Sequence, residues 1–498
     1  MTISFSAVPS NTLVPLFYAE MDNSAANTAV TSAPALLIGH ASNDASIEVN
    51  SLVLMPSADY ACKICGAGSQ LARMVDVYRQ TDPFGELYVI AVPEAKGVAA
   101  TVRVTVTGEA EESGTLSLYV GRSRVQVPVV NGDDATVVAT AIKEAVNGVI
   151  TLPFTASFDA GVVTLTARHK GLYGNELPVC LNYYGSGGGE LLPAGLQVVT
   201  EAGTVGSGAP DLTAAVAAMG DEAFDFIGLP FNDAASINMM MTEMNDSSGR
   251  WSYARQLYGH VYTAKLGTLS ELVDAGDMHN QQHITLAGYE KETQSPVDEL
   301  VASRLAREAV FIRNDPARPT QTGELVGMLP APKGKRFIMT EQQTLLSHGV
   351  ATAYVEGGML RIQRSVTTYK KNAYGVADNS YLDSETLHTS AYVLRKLKSV
   401  ITGKYGRHKL ANDGTRFGPG QAIVTPAVIK GELLATYRQM ERAGIVENYD
   451  LFKQYLIVER DADNPNRLNT LFPPDYVNQL RVFAVVNQFR LQYSEESA

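Results

Sequence analysis

Apolar and polar residues alternate at both ends of this chain. Ile3, Phe5 and Ala7 alternate with Thr2, Ser4 and Ser6, and Phe489, Leu491 and Tyr493 alternate with Gln488, Arg490 and Gln492. The second set follows a nearly unbroken apolar run, Leu480 to Val486, which contains Val482, Phe483 and Val485. A period of two marks a strand with one buried face. Termini fray unless something ties them down, so a terminal strand needs a sheet, its own or a neighbour's.

Between the ends the pattern changes three times. Residues 1–34 are rich in Ser, Asn, Ala and Thr with Pro9, Pro15 and Pro34, and read as an extension arm. Buried-type strands at 35–39 and 87–92 flank an amphipathic helix near 69–79, which predicts a parallel α/β sheet. From about Ala99 to Val199 come short alternating segments separated by Gly, Asn and Asp turns, with one helix at 135–147; this predicts a mostly antiparallel β domain. The Gly-rich segments 185–189 and 203–208 read as hinges at its exit. The α/β rhythm then resumes through a long amphipathic helix at 297–312.

The β block is therefore expected to be an insertion (99–204) within one α/β domain (35–98 plus 205–330). An α+β C-terminal domain is expected over 331–498. Its predicted parts are strands at 352–355 and 358–365, helices at 391–402 and 427–443, a strand at 455–459, and the terminal strand at 480–493.

Composition narrows the function classes. Hydrophobic residues make up 45% and charged residues 18%, as in soluble globular proteins. No apolar run reaches the length of a membrane span, and no basic segment leads into an apolar core at the start, so neither membrane insertion nor a secretory signal is expected. Three cysteines, Cys62, Cys65 and Cys180, cannot build a disulfide framework. A net charge of −12 argues against direct nucleic-acid binding. The charge is uneven: no Lys or Arg precedes Lys63, whereas Arg395, Lys396, Lys398, Lys404, Arg407 and Lys409 occupy a stretch without acids between Glu385 and Asp413. Such asymmetry suits head-to-tail contacts or a basic patch facing an acidic partner; it also suits plain solvated faces.

Candidate chemistry is thin. Cys62 and Cys65 have redox or zinc half-site spacing without a second pair, and read as buried structural thiols. Gly66 and Gly68 lack the rest of a dinucleotide fingerprint. His279 and His283 have i, i+4 spacing without the metalloprotease glutamate. Asp461, Asp463 and Asn464 read as a turn rather than a calcium loop. No catalytic, cofactor or metal site is expected, and the chain does not read as an enzyme.

The segments 1–17, 295–327 and 466–493, the last with Phe-Pro-Pro-Asp-Tyr-Val-Asn-Gln-Leu-Arg at 472–481, resemble the tail sheath proteins of contractile-tailed bacteriophages, those of Mu-like phages above all. The resemblance runs along essentially the whole chain and implies a structural subunit of the virion tail, assembled in the host cytoplasm. It implies stacked six-subunit rings around a tail tube protein, with baseplate and tail terminator proteins as further partners and no cofactor. Contraction would drive the tube through the host envelope. It implies that Ile3, Phe5 and Ala7, and Val482, Phe483, Val485, Phe489, Leu491 and Tyr493, belong to strands donated to neighbouring subunits. The basic stretch 395–409 is then a candidate tube-facing surface. An enzyme with a nucleotide-type α/β domain and a secreted adhesin are the competing classes. The first requires a phosphate loop or a convergent catalytic set, and the second an export route.

Overall fold

The computed structural model describes residues 33–159, 161–418 and 420–491. Ile3, Phe5, Ala7 and Tyr493 lie outside these residues.

The central element is an eight-stranded sheet. Its order is Met359–Arg364, Val350–Glu356, Ile284–Glu290, His260–Gly267, Phe226–Gly228, Ala35–His40, Leu87–Val92 and Leu52–Leu54. The six inner strands run parallel and the two outer ones antiparallel. Ala35–His40 and Ile284–Glu290 are buried throughout, as apolar parallel strands covered on both faces must be. Helices Gln70–Thr81 and Val297–Asn314 pack together over one face. Ser69 caps the first by accepting from the Ala72 amide.

The strands at 350–356 and 359–364 extend this sheet, so the boundary expected near residue 331 falls inside it. Alternation predicts that a strand exists but carries no information about which sheet it joins. Residues from Val393 onward build a separate cluster around Val393, Ile429, Leu433, Tyr437 and Phe452.

The β block forms two antiparallel sheets, of four and three strands, closed by helix Ala135–Gly148. It leaves after Leu87–Val92 and returns before Phe226–Gly228, as an insertion does. Its two connections run side by side: the Gly203 amide donates to Thr101 O, and the Ser207 amide to Val98 O. A Cβ on Gly97 would stand 1.8 Å from Ser207 O, so only glycine fits there. The segment 203–208, expected as a hinge, is thus held along its length.

Three polar contacts seat the insertion on the sheet domain. Arg122, on the turn after Gly114–Val120, reaches Asp76 at 2.9 Å and Glu299 at 2.6 Å. Gln294 Nε2 donates to Gly121 O at 2.8 Å, and Tyr183 OH to Pro330 O at 2.6 Å. Arg73 pairs with both Asp298 and Glu299 beneath this contact.

A fourth contact fills the place where an open α/β sheet usually binds a ligand. Strand order reverses around Ala35–His40, and such a switch point opens a crevice at the carboxyl ends of the strands. Here His40, Phe231 and the insertion's Gly171–Tyr173 leave a cavity of about 10 Å³, room for about one water. The Gln70 amide donates to His169 Nε2 at 3.1 Å, so the His169 proton sits on Nδ1, facing Glu94. His40 Nδ1 lies 3.2 Å from Val92 O, and its buried Nε2 has no hydrogen-bond partner. Burial and then the neighbouring His169 push His40 down to about 4.

The folded protein therefore refuses a proton that the unfolded chain accepts. As pH falls from 6.5 toward about 4, His40 should cost up to about 3 kcal/mol of stability. Urea unfolding across this range should show a steeper pH dependence for the natural chain than for His40→Phe. Equal slopes would contradict this assignment.

Candidate assembly interface

Residues beyond Pro474 cross the C-terminal domain and then leave it. Val446 and Tyr476 form an isolated bridge, and the Val477 amide donates to Ile445 O. Gln479 Nε2 donates to Ala317 O at 3.0 Å, and Leu480 O accepts from Gln321 Nε2 at 3.3 Å. Arg481 reaches Glu385 at 3.1 Å and Asp383 at 3.4 Å. Residues 482–491 are exposed and pair with no strand among the described residues.

The exposed segment is apolar. Val482 is 78% exposed, Phe483 81%, Val485 67%, Phe489 74% and Leu491 97%. Burying about four such side chains is worth on the order of 6–12 kcal/mol gross. An exposed apolar stretch of this size marks an interaction site. Of the strand expected at 480–493, residues 482–491 are an extended segment without a ladder among the described residues.

The other terminus is rooted close by. Ala33 O accepts from Arg313 Nε at 2.8 Å, at the end of the long helix Val297–Asn314. Arg313 is braced in turn by Asp82 and Tyr78. Both ends of the described chain thus hang from residues 313–321.

The C-terminal domain also carries an incomplete sheet. Ile457–Arg460 and Leu468–Leu471 pair only with each other, antiparallel, and both outer edges are open among the described residues. Val458 and Leu468 pack inward on the cluster around Tyr437, while the opposed pair Ile457 and Leu471 is 50% and 58% exposed. Two strands alone are marginally stable, and open edges invite a further strand. The turn between them is an Asx turn: Asp461 Oδ1 accepts from the Asp463 and Asn464 amides.

The basic stretch divides by position. Helix Ser384–Tyr405 begins seven residues before the expected start, Ala391. Its first half is buried on the sheet domain, where His388 Nε2 meets Tyr262 OH at 3.0 Å. Asp383 sits at the cap but makes no capping bond, because its carboxylate holds Arg364 at 2.8 and 2.9 Å. Arg395 pairs with the buried Asp225 and donates to Tyr258 O. Burial pushes the Asp225 carboxyl up, against the pull of Arg395. Lys396 is half-buried; Lys398, Arg407 and Lys409 are exposed; Lys404 pairs with Glu432 at 2.6 Å. The guanidinium of Arg395 is thus engaged within the subunit, by a partner 170 residues away that the sequence pattern does not announce.

The remaining candidate residues have structural surroundings. Cys62 and Cys65 share helix Ala58–Cys65 as free thiols, pushed up by burial. His283 stacks on Trp251 and bonds Asp246 at 2.7 Å, and His279 is buried. The sequence reading missed Arg481, Glu385 and the pair Ile457 and Leu471. The signal for Arg481 was a single cation inside the apolar run Leu480–Val486.

Comparison with known proteins agrees along the chain. Residues 95–197 match the phage tail sheath protein beta-sandwich domain, 206–368 the central domain, and 376–490 the C-terminal domain. The chain is 37% identical over 495 residues to the Mu-like prophage FluMu tail sheath protein of Haemophilus influenzae, covering 99% of this chain and 100% of that protein. The crystal structure of a sheath tail protein from Desulfitobacterium hafniense is similar in fold, with TM-score 0.50 and 11% identity, covering 94% of this chain and 97% of that one. A sheath tail protein from Listeria innocua gives TM-score 0.49 and 12% identity, over 90% and 92% of the two chains.

Arg395→Ala should cost roughly 3 kcal/mol in urea unfolding, because it strands a buried carboxylate. Lys398→Ala and Arg407→Ala should stay within about 0.5 kcal/mol. A small, equal loss in all three would contradict the pairing. The match to all three sheath domains and to a full-length relative places this chain in the phage tail sheath protein family.

Proposed function

We propose that this subunit of a contractile phage tail sheath polymerises by strand donation. The segment 482–491 of one copy adds to an open edge of the Ile457–Arg460 and Leu468–Leu471 sheet of the next. One observation carries this reading: among the described residues, an exposed apolar segment without a ladder and an open two-stranded sheet occur in the same domain. Backbone hydrogen bonds would supply the linkage, and alternate side chains would set its register. The N-terminal residues Ile3, Phe5 and Ala7 would make a second link from the same hub at 313–321. Two links per subunit allow stacked six-membered rings that turn against one another while staying joined.

The tail tube protein, the baseplate and the tail terminator are the further partners in this reading, with assembly in the host cytoplasm. Lys396, Lys398, Arg407 and Lys409 are the tube-facing candidates. Exposed ionic contacts are screened and weak one by one, which suits a surface that must let go during contraction. The work of contraction comes from differences in subunit packing and requires no catalysis. The crevice where a nucleotide-type domain would hold its ligand supports this, being filled by His40 and the insertion.

A chain lacking residues 487–498 should fold with an unchanged thermal midpoint, remain soluble, and form no tubes in electron microscopy. Normal tubes from that chain would rule out strand donation by this segment. Changing Lys396, Lys398 and Arg407 to Glu should weaken assembly on the tail tube at least about tenfold more than self-assembly. Equal loss of both would remove the tube contact from this face.

A further inference from the structure

Arg481 belongs to a charge cluster that joins four parts of the chain. Three cations, Arg304, Arg364 and Arg481, meet three carboxylates, Glu308, Asp383 and Glu385. Arg304 and Glu308 come from the long helix, Arg364 from the last strand of the main sheet, and Asp383 and Glu385 from the start of helix Ser384–Tyr405. Arg481 alone comes from the arm. Glu308 and Glu385 are fully buried. Glu385 Oε1 accepts from Arg481, from the Thr320 amide at 3.0 Å and from Thr320 Oγ1 at 2.9 Å. Glu308 accepts from Ser365 Oγ, which accepts in turn from Arg304, and its second oxygen has no partner. Burial, and then Glu385 beside it, raises Glu308 to about 7. Tyr262 faces Glu308 and Glu385, Tyr289 faces Glu308 and Glu290, and His388 contacts Tyr262.

We propose that Arg481 is the clamp of the C-terminal arm: as the third cation of this cluster it ties the segment that reaches a neighbour to the joint between the sheet domain and helix Ser384–Tyr405. Given strand donation by residues 482–491, a pull on the arm acts at Glu385 and Asp383, not at the weaker contacts of residues 477–480. Withdrawing Arg481 would leave two buried carboxylates facing each other with one counter-ion fewer. Arm position and domain joint are therefore coupled: a subunit whose arm is drawn out has a weakened joint. A buried ion pair broken from one side is costly because the remaining charge is stranded. Arg481 is a positioning residue, since it makes no strand contact itself.

The test is a double-mutant cycle in the full chain: natural, Arg481→Gln, Glu385→Gln and both together, with thermal midpoints read at pH 8 and pH 6. Glu308 already stands above its unfolded value, and removing a nearby cation raises it further, so the cost of the substitution grows as pH rises from 6 to 8. Arg481→Gln should lower the midpoint by about 3 °C or more at pH 8 and by less than half that at pH 6. The double variant should return to within about 1 °C of Glu385→Gln alone. Chymotryptic cleavage after Tyr476 should be about tenfold faster in both chains lacking Arg481, including the double variant whose midpoint recovers. Additive midpoint losses, a loss independent of pH, or slow cleavage in the double variant would each overturn the clamp. The cycle needs no polymer, so failure of the natural chain to form tubes would count against strand donation and leave the clamp to be judged separately.

Discussion

Every backbone N–H and C=O must be hydrogen-bonded to protein or to water, and an extended apolar segment can satisfy its backbone in water only by leaving its side chains exposed. Residues 482–491 are in that position. The sheet of Ile457–Arg460 and Leu468–Leu471 has the complementary deficit, with two edges open among the described residues and an apolar pair half exposed. In the proposed polymer a second copy removes both at once. The free energy of polymerisation, in this account, is the free energy a single chain cannot recover alone.

The rest of the molecule fits a rigid body carrying such links. The insertion is held by Arg122, Gln294, Tyr183 and the packed histidines, across several separate contacts, and its two connections are bonded to each other. Ionic and apolar contacts that are buried on all sides resist small displacements, because interiors are close-packed. The proposed links lie at the periphery, rooted at residues 313–321, an arrangement that would let subunits turn about them without internal repacking. The filled crevice at His40 belongs to the same economy: a fold that elsewhere binds ligands here uses its switch point to seat a second domain.

Much of this architecture is legible in the chain. The run of apolar strands and amphipathic helices gives the α/β sheet, and the change to period-two segments at Ala99 gives the insertion. Strands Ala35–His40 and Leu87–Val92 and helices Ala135–Gly148 and Val297–Asn314 fall where the pattern puts them. What fails is non-local. The strands at 350–364 are visible as strands, but their membership of the main sheet depends on pairing with Ile284–Glu290. The basic run 395–409 reads as one surface until Asp225 engages Arg395. The short helix Ala58–Cys65 and strand Leu52–Leu54 are too brief for periodicity to register. The alternation near the C-terminus reads as a strand, but residues 482–491 have no ladder among the described residues; the anchor is not legible, because Glu385 and Asp383 lie about a hundred residues away from Arg481.

The central claim is that the C-terminal segment pairs with another copy. A cryo-electron microscopic reconstruction of the assembled polymer, at a resolution that traces the backbone, tests it most directly. The account predicts density for residues 482–491 as a strand hydrogen-bonded to Ile457–Arg460 or Leu468–Leu471 of an adjacent subunit, with Arg481 still on Glu385 of its own. Density that returns the segment to its own subunit, or leaves both edges of that sheet open in the polymer, would contradict it.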